Sequence, residues 1–423
     1  MKKINTSPIS GMQELLPEKQ AIFDKLKNTI SEVYHRHGFL NIETPVIERQ
    51  EILLAKAGGD TEKQIYKVVK TAEASDSADQ ALRFDHTVPL ARYTVEHESN
   101  LNFPFKVSQI GRNFRGERAQ KGRYREFYQC DADVIGRNNL PIYYDADVIE
   151  TSLDALLGFG LDTPIVARIS NRKVLTGLIA ELGLEDKSED IYSIIDHSEK
   201  VSVEQTEAAF SEIGLDENKK SLILAFMDIS GSKEYVTGKL NNLGIKNQTF
   251  KDGVNELATV LGLLEADGYK ENAKADMKIV RGLDYYTGTV FEYALPEYRQ
   301  VGSIGGGGRY DNLAGHFTEQ VFPGVGSSIG LTRLFYVLNE NNLLKSQDGR
   351  PLDMAVVPIS ENEIPYAMKV ASDLRNAGKT TTVVFNGKKL GDKLNYAAKL
   401  APKAIVIGEE EVKTGKYQEK VLN

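Results

Sequence analysis

The chain has a single cysteine, Cys130, among 423 residues. An intramolecular disulfide and any multi-thiolate zinc or iron–sulfur centre are thereby excluded, which fits a reducing cytosol. The six histidines, at 35, 37, 86, 97, 197 and 316, never fall into His-Glu-x-x-His, so a catalytic zinc site has no support. Magnesium, which takes oxygen ligands, stays open. No run of about 18 apolar residues occurs, and Met1-Lys2-Lys3-Ile4-Asn5 is not followed by an apolar stretch. Neither a membrane span nor a secretory leader is expected, and the expected location is cytoplasmic. What is present, 41% hydrophobic and 26% charged residues, describes a folded, water-soluble protein. At roughly 100 to 200 residues per domain, it should form two or three domains. A formal charge of −8 speaks against non-specific coating of nucleic acid but leaves room for a local basic surface.

Helical spacing of Ile22, Phe23, Leu26, Ile30, Val33 and Tyr34 predicts a first helix over 14–37, with Pro17 in its first turn and Gly38 stopping it. Phe39 to Glu43 alternates before Pro45 and reads as a strand at a boundary, a place for a dimer interface. Two strands are expected at 65–70 and 81–84, with a polar surface loop between them. From Phe105 to Ile135 the pattern is strand, polar loop, strand. In the second strand Tyr124, Tyr128, Cys130, Ala132 and Val134 share one face, while Arg123, Arg125, Phe127, Gln129, Asp131 and Asp133 share the other. One face packs and the other presents chemistry or solvent. Residues 172–275 read as an inserted set of short amphipathic helices. Strand signals return at Thr287 to Tyr293, followed by a glycine run at 305–308 and a helix from about Ser327 to Leu338. A polar linker at 341–352 leads into a last unit that alternates strand and helix, a small α/β domain with a mostly parallel sheet. Over 351–423 there are 11 Lys and Arg against 9 Asp and Glu, a net +2 that suits an accessory nucleic-acid contact.

The glycines form no phosphate loop. Ser303-Ile304-Gly305-Gly306-Gly307-Gly308-Arg309 lacks the Gly-Lys-Ser/Thr ending, and the stretch from Gly324 to Gly330 matches a dinucleotide fingerprint only with an extra residue. Close packing of backbone against a neighbouring strand is the better use of most of them. The arginines say more. Arg115, Arg123 and Arg125 stand around Glu117 and Glu126, Arg281 stands near Asp284, and Arg333 lies on the late helix. Any one such pair is readily a surface salt bridge, but several guanidinium groups together suit a triphosphate and its transition state. With no nucleophile and base pair in sight, positioning and electrostatics would carry the catalysis.

Phe114-Arg115-Gly116-Glu117-Arg118, with Gly122 to Gln129 after it, resembles motif 2 of the class II aminoacyl-tRNA synthetases. Arg281-Gly282-Leu283-Asp284-Tyr285-Tyr286-Thr287 resembles the signature of histidyl-tRNA synthetases, and Gly302 to Leu313 resembles that family's second signature. Leu82 to Pro89 is similar to its amino-acid-binding stretch, Gly38 to Glu48 to motif 1, and Gly326 to Arg333 to motif 3. The resemblance spans nearly the whole chain in order.

It implies an α+β fold: a class II synthetase antiparallel sheet with flanking helices, a helical insertion, and a C-terminal α/β anticodon-binding domain. The expected divisions are 1–171 and 276–340 catalytic, 172–275 insertion and 351–423 anticodon-binding. It implies histidine-tRNA ligase activity with ATP, L-histidine and tRNA(His) as ligands, Mg2+ accompanying ATP, and a homodimer built through the motif 1 region. By family pattern, Arg115 and Arg281 are catalytic and hold the α-phosphate. Glu117 approaches the adenine amino group, Phe127 stacks on the ring, and Arg123 and Arg333 hold the β and γ phosphates. Asp85, Thr87 and Gln129 bind the α-amino group, while Asp133, Tyr286 and the adjoining Tyr285 serve the imidazole end. Arg118 and Gln120 reach the tRNA acceptor end. Gln129 and Asp133, about 13 Å apart along a strand, are far apart for one amino acid unless a bulge or twist intervenes. Three departures from the pattern stand out: Thr332 where glutamate is common, Asp133 where many members carry glutamate, and a last unit that stops at Leu422-Asn423. The rival reading is the synthetase-like regulatory subunit of ATP phosphoribosyltransferase, which binds histidine without catalysis. The retained arginines and the folded-looking C-terminal unit speak against it.

Overall fold

A computed structural model describes residues 4–55, 62–71, 79–280, 286–312, 314–344 and 349–422. The chain divides into two compact units, one of Met1–Gln13 and Leu26–Leu343, the other of Glu14–Lys25 and Leu344–Asn423. The division falls inside the first helix, α1 (Pro17–Arg36), rather than only at the linker.

The larger unit is organised by a nine-stranded sheet. In chain order its strands are β1 (Leu40–Asn41), β5 (Phe105–Phe114), β6 (Glu126–Ile135), β7 (Val166–Asn171), β8 (Ser230–Gly231), β9 (Ala273–Asp276), β10 (Thr289–Ala294), β11 (Gly305–Tyr310) and β12 (Gly324–Ile329). They lie side by side as β1-β5-β6-β12-β11-β10-β7-β9-β8. The six strands from β5 to β7 pair antiparallel, as expected, whereas β1 joins β5 and β9 joins β7 in parallel, so the sheet as a whole is mixed. A smaller sheet comprises β2 (Ile47–Arg49), β3 (Lys67–Val68) and β4 (Gln80–Leu82), with α2 (Gln50–Leu54) beside it. Helix α3 (Thr87–Glu96) follows.

The chemistry of strand β6 decides how it sits. Cys130, Ala132 and Val134 are fully buried on one face. Tyr34 of α1 donates its hydroxyl to the Cys130 carbonyl at 3.0 Å, and Ser152 of α4 (Tyr143–Leu157) donates to Ser327 of β12 at 2.8 Å, so these helices cover that side. The opposite face of β6 is thereby left to carry polar groups inside the protein. Between β7 and β9 the chain forms six helices, α5 (Arg172–Glu181), α6 (Ser188–His197), α7 (Val203–Glu212), α8 (Glu217–Met227), α9 (Lys233–Asn242) and α10 (Gln248–Ala266). Asn171, Ser202, Asp216, Ser232 and Asn247 cap the starts of five of them through side-chain oxygens.

In the smaller unit, β13 (Met354–Pro358), β14 (Thr381–Val383) and β15 (Lys403–Ile407) run parallel, and β16 (Glu419–Val421) adds antiparallel to β15. Its sheet buries Val356, Ile405 and Ile407 against Val370 of α12 (Ile364–Asn376), and Ala355, Val357 and Ala404 against Ala397 of α13 (Leu390–Ala398). A short last helix, α14 (Glu409–Thr414), follows β15.

Two local expectations change. Ser327 to Ile329 is strand rather than helix, because Gly324–Ile329 is hydrogen-bonded on both sides, to β6 and to β11. The helix, α11 (Leu331–Glu340), begins only after Gly330. Strand β6 begins at Glu126. Arg123 belongs instead to a tight turn in which its backbone exchanges hydrogen bonds with that of Gln120 at 2.9 and 3.1 Å, and Gly122 supplies the positive φ of 72°. Alternation along a strand therefore does not govern Arg123 or Arg125.

Candidate active site

A cleft of about 490 Å³ opens on the polar face of the large sheet. Strand β6 contributes Phe127 and Gln129, the end of β5 contributes Arg115, and the turn contributes Glu117 and Arg123. Tyr286 and Arg333 complete the set of predicted residues that line it, and the backbone of Gly305, Gly306 and Gly307 forms its floor. These glycines occupy consecutive positions of β11, where a Cβ would strike the carbonyls of Ser328, Phe291 and Gly326 on the flanking strands. Close backbone approach, not phosphate binding, accounts for the run.

At one end of the cleft Arg115 lies between two aromatic rings, 4.3 Å from the centroid of Phe84 and 5.0 Å from that of Phe127. Its Nε donates to the Phe84 carbonyl at 3.3 Å. Burial holds the guanidinium below its ordinary pKa, opposed by the nearby carboxylates of Asp85 and Glu117. Arg123 pairs with Glu117 at 3.6 Å, and Arg333 donates to the Val301 carbonyl at 2.7 Å. Arg125 turns away to the backbone of Glu117 and Ser10, a structural role. Thr332, where the family pattern has glutamate, accepts the Tyr128 N–H at 2.8 Å and so ties α11 to β6.

In the middle, Gln129 accepts from Asn113 Nδ2 at 2.8 Å and donates to Ser328 Oγ at 2.7 Å, which fixes the orientation of its amide. Asp85 accepts the Val88 N–H at 3.0 Å, and Thr87 is the first residue of α3. Burial raises the Asp85 pKa against the effects of that hydrogen bond and of Arg115. Further along β6, buried Asp133 accepts from Tyr310 Oη at 3.1 Å. Its pKa is well above the carboxylate range, first through burial and then through the charge of Asp131. Gly326 sits directly across from Asp133, and a Cβ there would collide with the carboxylate.

The β5–β6 ladder runs unbroken from Phe105↔Ile135 to Phe114↔Glu126. No bulge draws Gln129 and Asp133 together, so their spacing stays at about 13 Å. An amino acid with a hydrogen bond of about 2.9 Å at each end fills most of that interval. Arg118 and Gln120 are exposed near the turn and, like Asp85, Thr87 and Asp133, are not among the residues that line the cleft. Arg281 and Tyr285 lie outside the described residues. Among those described, no group of three or more His, Cys, Asp or Glu side chains could hold a metal ion. Tyr310, Ser328 and Asn113 had no local signal in the sequence, since distant strands bring them in. Asp131 had one, its place between Gln129 and Asp133.

The family model for histidyl-tRNA synthetase matches residues 11–334, and that for an anticodon-binding domain matches residues 353–423. A protein of Clostridium tetani named histidine-tRNA ligase is 44% identical over 425 residues, covering 99% of this chain and 95% of that one. One of the same name from Finegoldia magna is 42% identical over 417 residues, covering 98% and 94%. The crystal structure of histidyl-tRNA synthetase from Nostoc sp. PCC 7120 superposes with a TM-score of 0.88 at 36% identity, covering 99% of this chain and 97% of that one. The chain therefore belongs to the histidyl-tRNA synthetase family.

Proposed function

We propose that this protein activates L-histidine with ATP and transfers it to the 3′ end of tRNA(His). The observation that carries the reading is the order of groups along one strand face. Phe127 beside Arg115 suits a nucleotide, Gln129 an ammonium group, and Asp133 an imidazole N–H. The histidine carboxylate attacks the α-phosphorus in line and pyrophosphate leaves. The 3′-hydroxyl of the terminal adenosine then attacks the carbonyl of the mixed anhydride and AMP leaves. Arg115, with Arg281, stabilises charge on the α-phosphate, while Arg123 and Arg333 receive the β and γ phosphates. Glu117 serves the adenine amino group, Asp85 and Thr87 join Gln129 at the α-amino group, and Tyr285 and Tyr286 join Asp133 at the imidazole end. Arg118 and Gln120 meet the acceptor stem.

Mg2+ would arrive with the triphosphate and neutralise part of its charge. The absence of a multi-carboxylate cluster among the described residues, with Glu117 and Glu292 at the cleft, fits an ion held chiefly by phosphates. Dimerisation is assigned to the motif 1 edge, where Leu40 is 61% and Ile47 46% exposed. Residues 1–171 and 276–340 carry the chemistry, 172–275 the helical insertion and 351–423 the anticodon contact. No helix among the described residues is long and apolar enough to cross a membrane, and the reaction is placed in the cytosol. Histidine-dependent exchange of pyrophosphate into ATP, followed by charging of tRNA, tests the reading. Folded protein that binds histidine without exchange would favour a regulatory subunit instead.

A further inference from the structure

None of the roles above uses Asp131, although it stands between Gln129 and Asp133 on the cleft face of β6 and is 4% exposed. Its Oδ2 lies 3.0 Å from Nδ1 of His86, which is 1% exposed. The tautomer that donates in this contact is the one with its hydrogen on Nδ1. His86 in turn stands between Asp85 and Thr87. Its carbonyl accepts from Gln109 Nε2 at 3.3 Å, and Gln109 is the register partner of Asp131 across the β5–β6 ladder. One rung of the sheet thus grips His86 by side chain and by backbone. Gln109 is itself held by a 3.0 Å hydrogen bond from Thr44 Oγ1. Beyond that rung, a Cβ on Gly111 would strike Arg83 Nη2 and fall 3.2 Å from His86 Nε2, so guanidinium and imidazole together fill space left by a glycine. His86 Nε2 and Asp131 Oδ1 have no hydrogen-bond partner among the described residues. A pair kept only for packing would be expected to satisfy those atoms.

We propose that His86 and Asp131 are a positioning pair for the amino acid, locking the segment that carries Asp85 and Thr87 against the strand that carries Gln129 and Asp133. The inference rests on the assignment of those four residues to histidine. Each member of the pair has histidine-binding residues on both sides, one position away for His86 and two for Asp131. Loosening the link lets the acceptors at the ammonium end drift relative to the acceptor at the imidazole end. At the nucleotide end Arg115 also packs on Phe127 of β6, a hold that does not pass through His86.

Pyrophosphate exchange at varied histidine and varied ATP tests the pair. His86→Leu should raise KM for histidine about tenfold or more by leaving Asp131 unpaired, with KM for ATP within about twofold. His86→Asn, whose amide N–H can replace Nδ1–H, should recover most of the loss. Should His86→Leu fail to fold, the double variant His86→Leu/Asp131→Leu removes both polar groups at little cost in stability and should keep the histidine defect. An unchanged KM for histidine, an equal rise for both substrates, or no rescue by asparagine overturns the proposal. Thr87→Ala and Asp133→Ala run alongside. If they weaken histidine and the His86 variants do not, only the positioning role fails; if they too leave histidine unaffected, the site assignment fails with it.

Discussion

Gly326→Ala replaces no proposed ligand-contacting side chain and should still weaken histidine selectively. Gly326 is paired with Asp133 in the β6–β12 ladder, and an added Cβ would collide with Asp133 Oδ1. Either β12 shifts or the carboxylate rotates. Rotation breaks the bond from Tyr310 and turns the acceptor away from the imidazole N–H. Losing that acceptor costs the bound histidine about 1 to 3 kcal/mol, an increase of about 5- to 150-fold in KM for histidine. KM for ATP should hold within about twofold, because Arg115 and Phe127 lie at the other end of the strand. Overpacking of this kind costs about 1 to 3 kcal/mol of stability, less than a domain's usual reserve of about 5 to 15 kcal/mol, so the variant should fold. The assay is pyrophosphate exchange on protein whose melting has been recorded. Equal weakening of both substrates, or none, would refute the placement of Asp133 in the histidine pocket.

Asp133→Ala should weaken histidine by about 1 to 3 kcal/mol and ATP far less, since an imidazole N–H loses its acceptor; parallel titrations of both substrates check this. Because the raised pKa of Asp133 keeps its carboxyl protonated to higher pH than usual, histidine affinity should fall on acidification before an ordinary carboxylate would titrate. Asp133→Asn should remove that limb. Arg281→Ala should slow activation by roughly two to three orders of magnitude with the fold intact, and near-normal exchange would make Arg281 a structural residue. Partial burial, and then the hydrogen bond and charge of Asp267, raise the pKa of Glu150 to about 7, so the folded state binds its proton more tightly than the unfolded chain does. The resulting penalty is full above that pH and fades as pH falls. Glu150→Gln should therefore raise Tm at pH 8 and change it little at pH 5, and the reverse pattern would contradict the assignment.

The sequence exposed most of what lies on a single strand. The alternation Phe127, Gln129, Asp131, Asp133 is a local signal, and the Arg115 turn announces itself by its charges. Contacts made across strands were illegible. Tyr310 reaches Asp133 from β11, Ser328 reaches Gln129 from β12, and Gly326 clears space for a carboxylate 193 positions earlier in the chain. No periodicity carries such register. Ser327 to Ile329 read as helix because a short strand buried on both sides lacks alternation, and Gly330 is the one visible break. The role of Thr332 could not be read because its partner, the Tyr128 N–H, is backbone.

The unbroken ladder of β6 makes the strand a graduated rule. The groups proposed for nucleotide, ammonium and imidazole sit at 127, 129 and 133, two and then four residues apart, so every interval on the cleft face is a multiple of about 6.6 Å. Such a rule has no fine adjustment. Inserting or deleting one residue between 127 and 133 would not lengthen it slightly but would turn each later side chain to the packed face, burying chemistry under α1 and α4 and swinging Cys130, Ala132 and Val134 into the cleft. A homologue built on this strand can exchange the group at a mark, or change the length of the group that reaches from it, but cannot move the mark. Discrimination among amino acids of different length then has to be adjusted from the facing strands and from the Asp85–Thr87 segment, while β6 stays fixed in count.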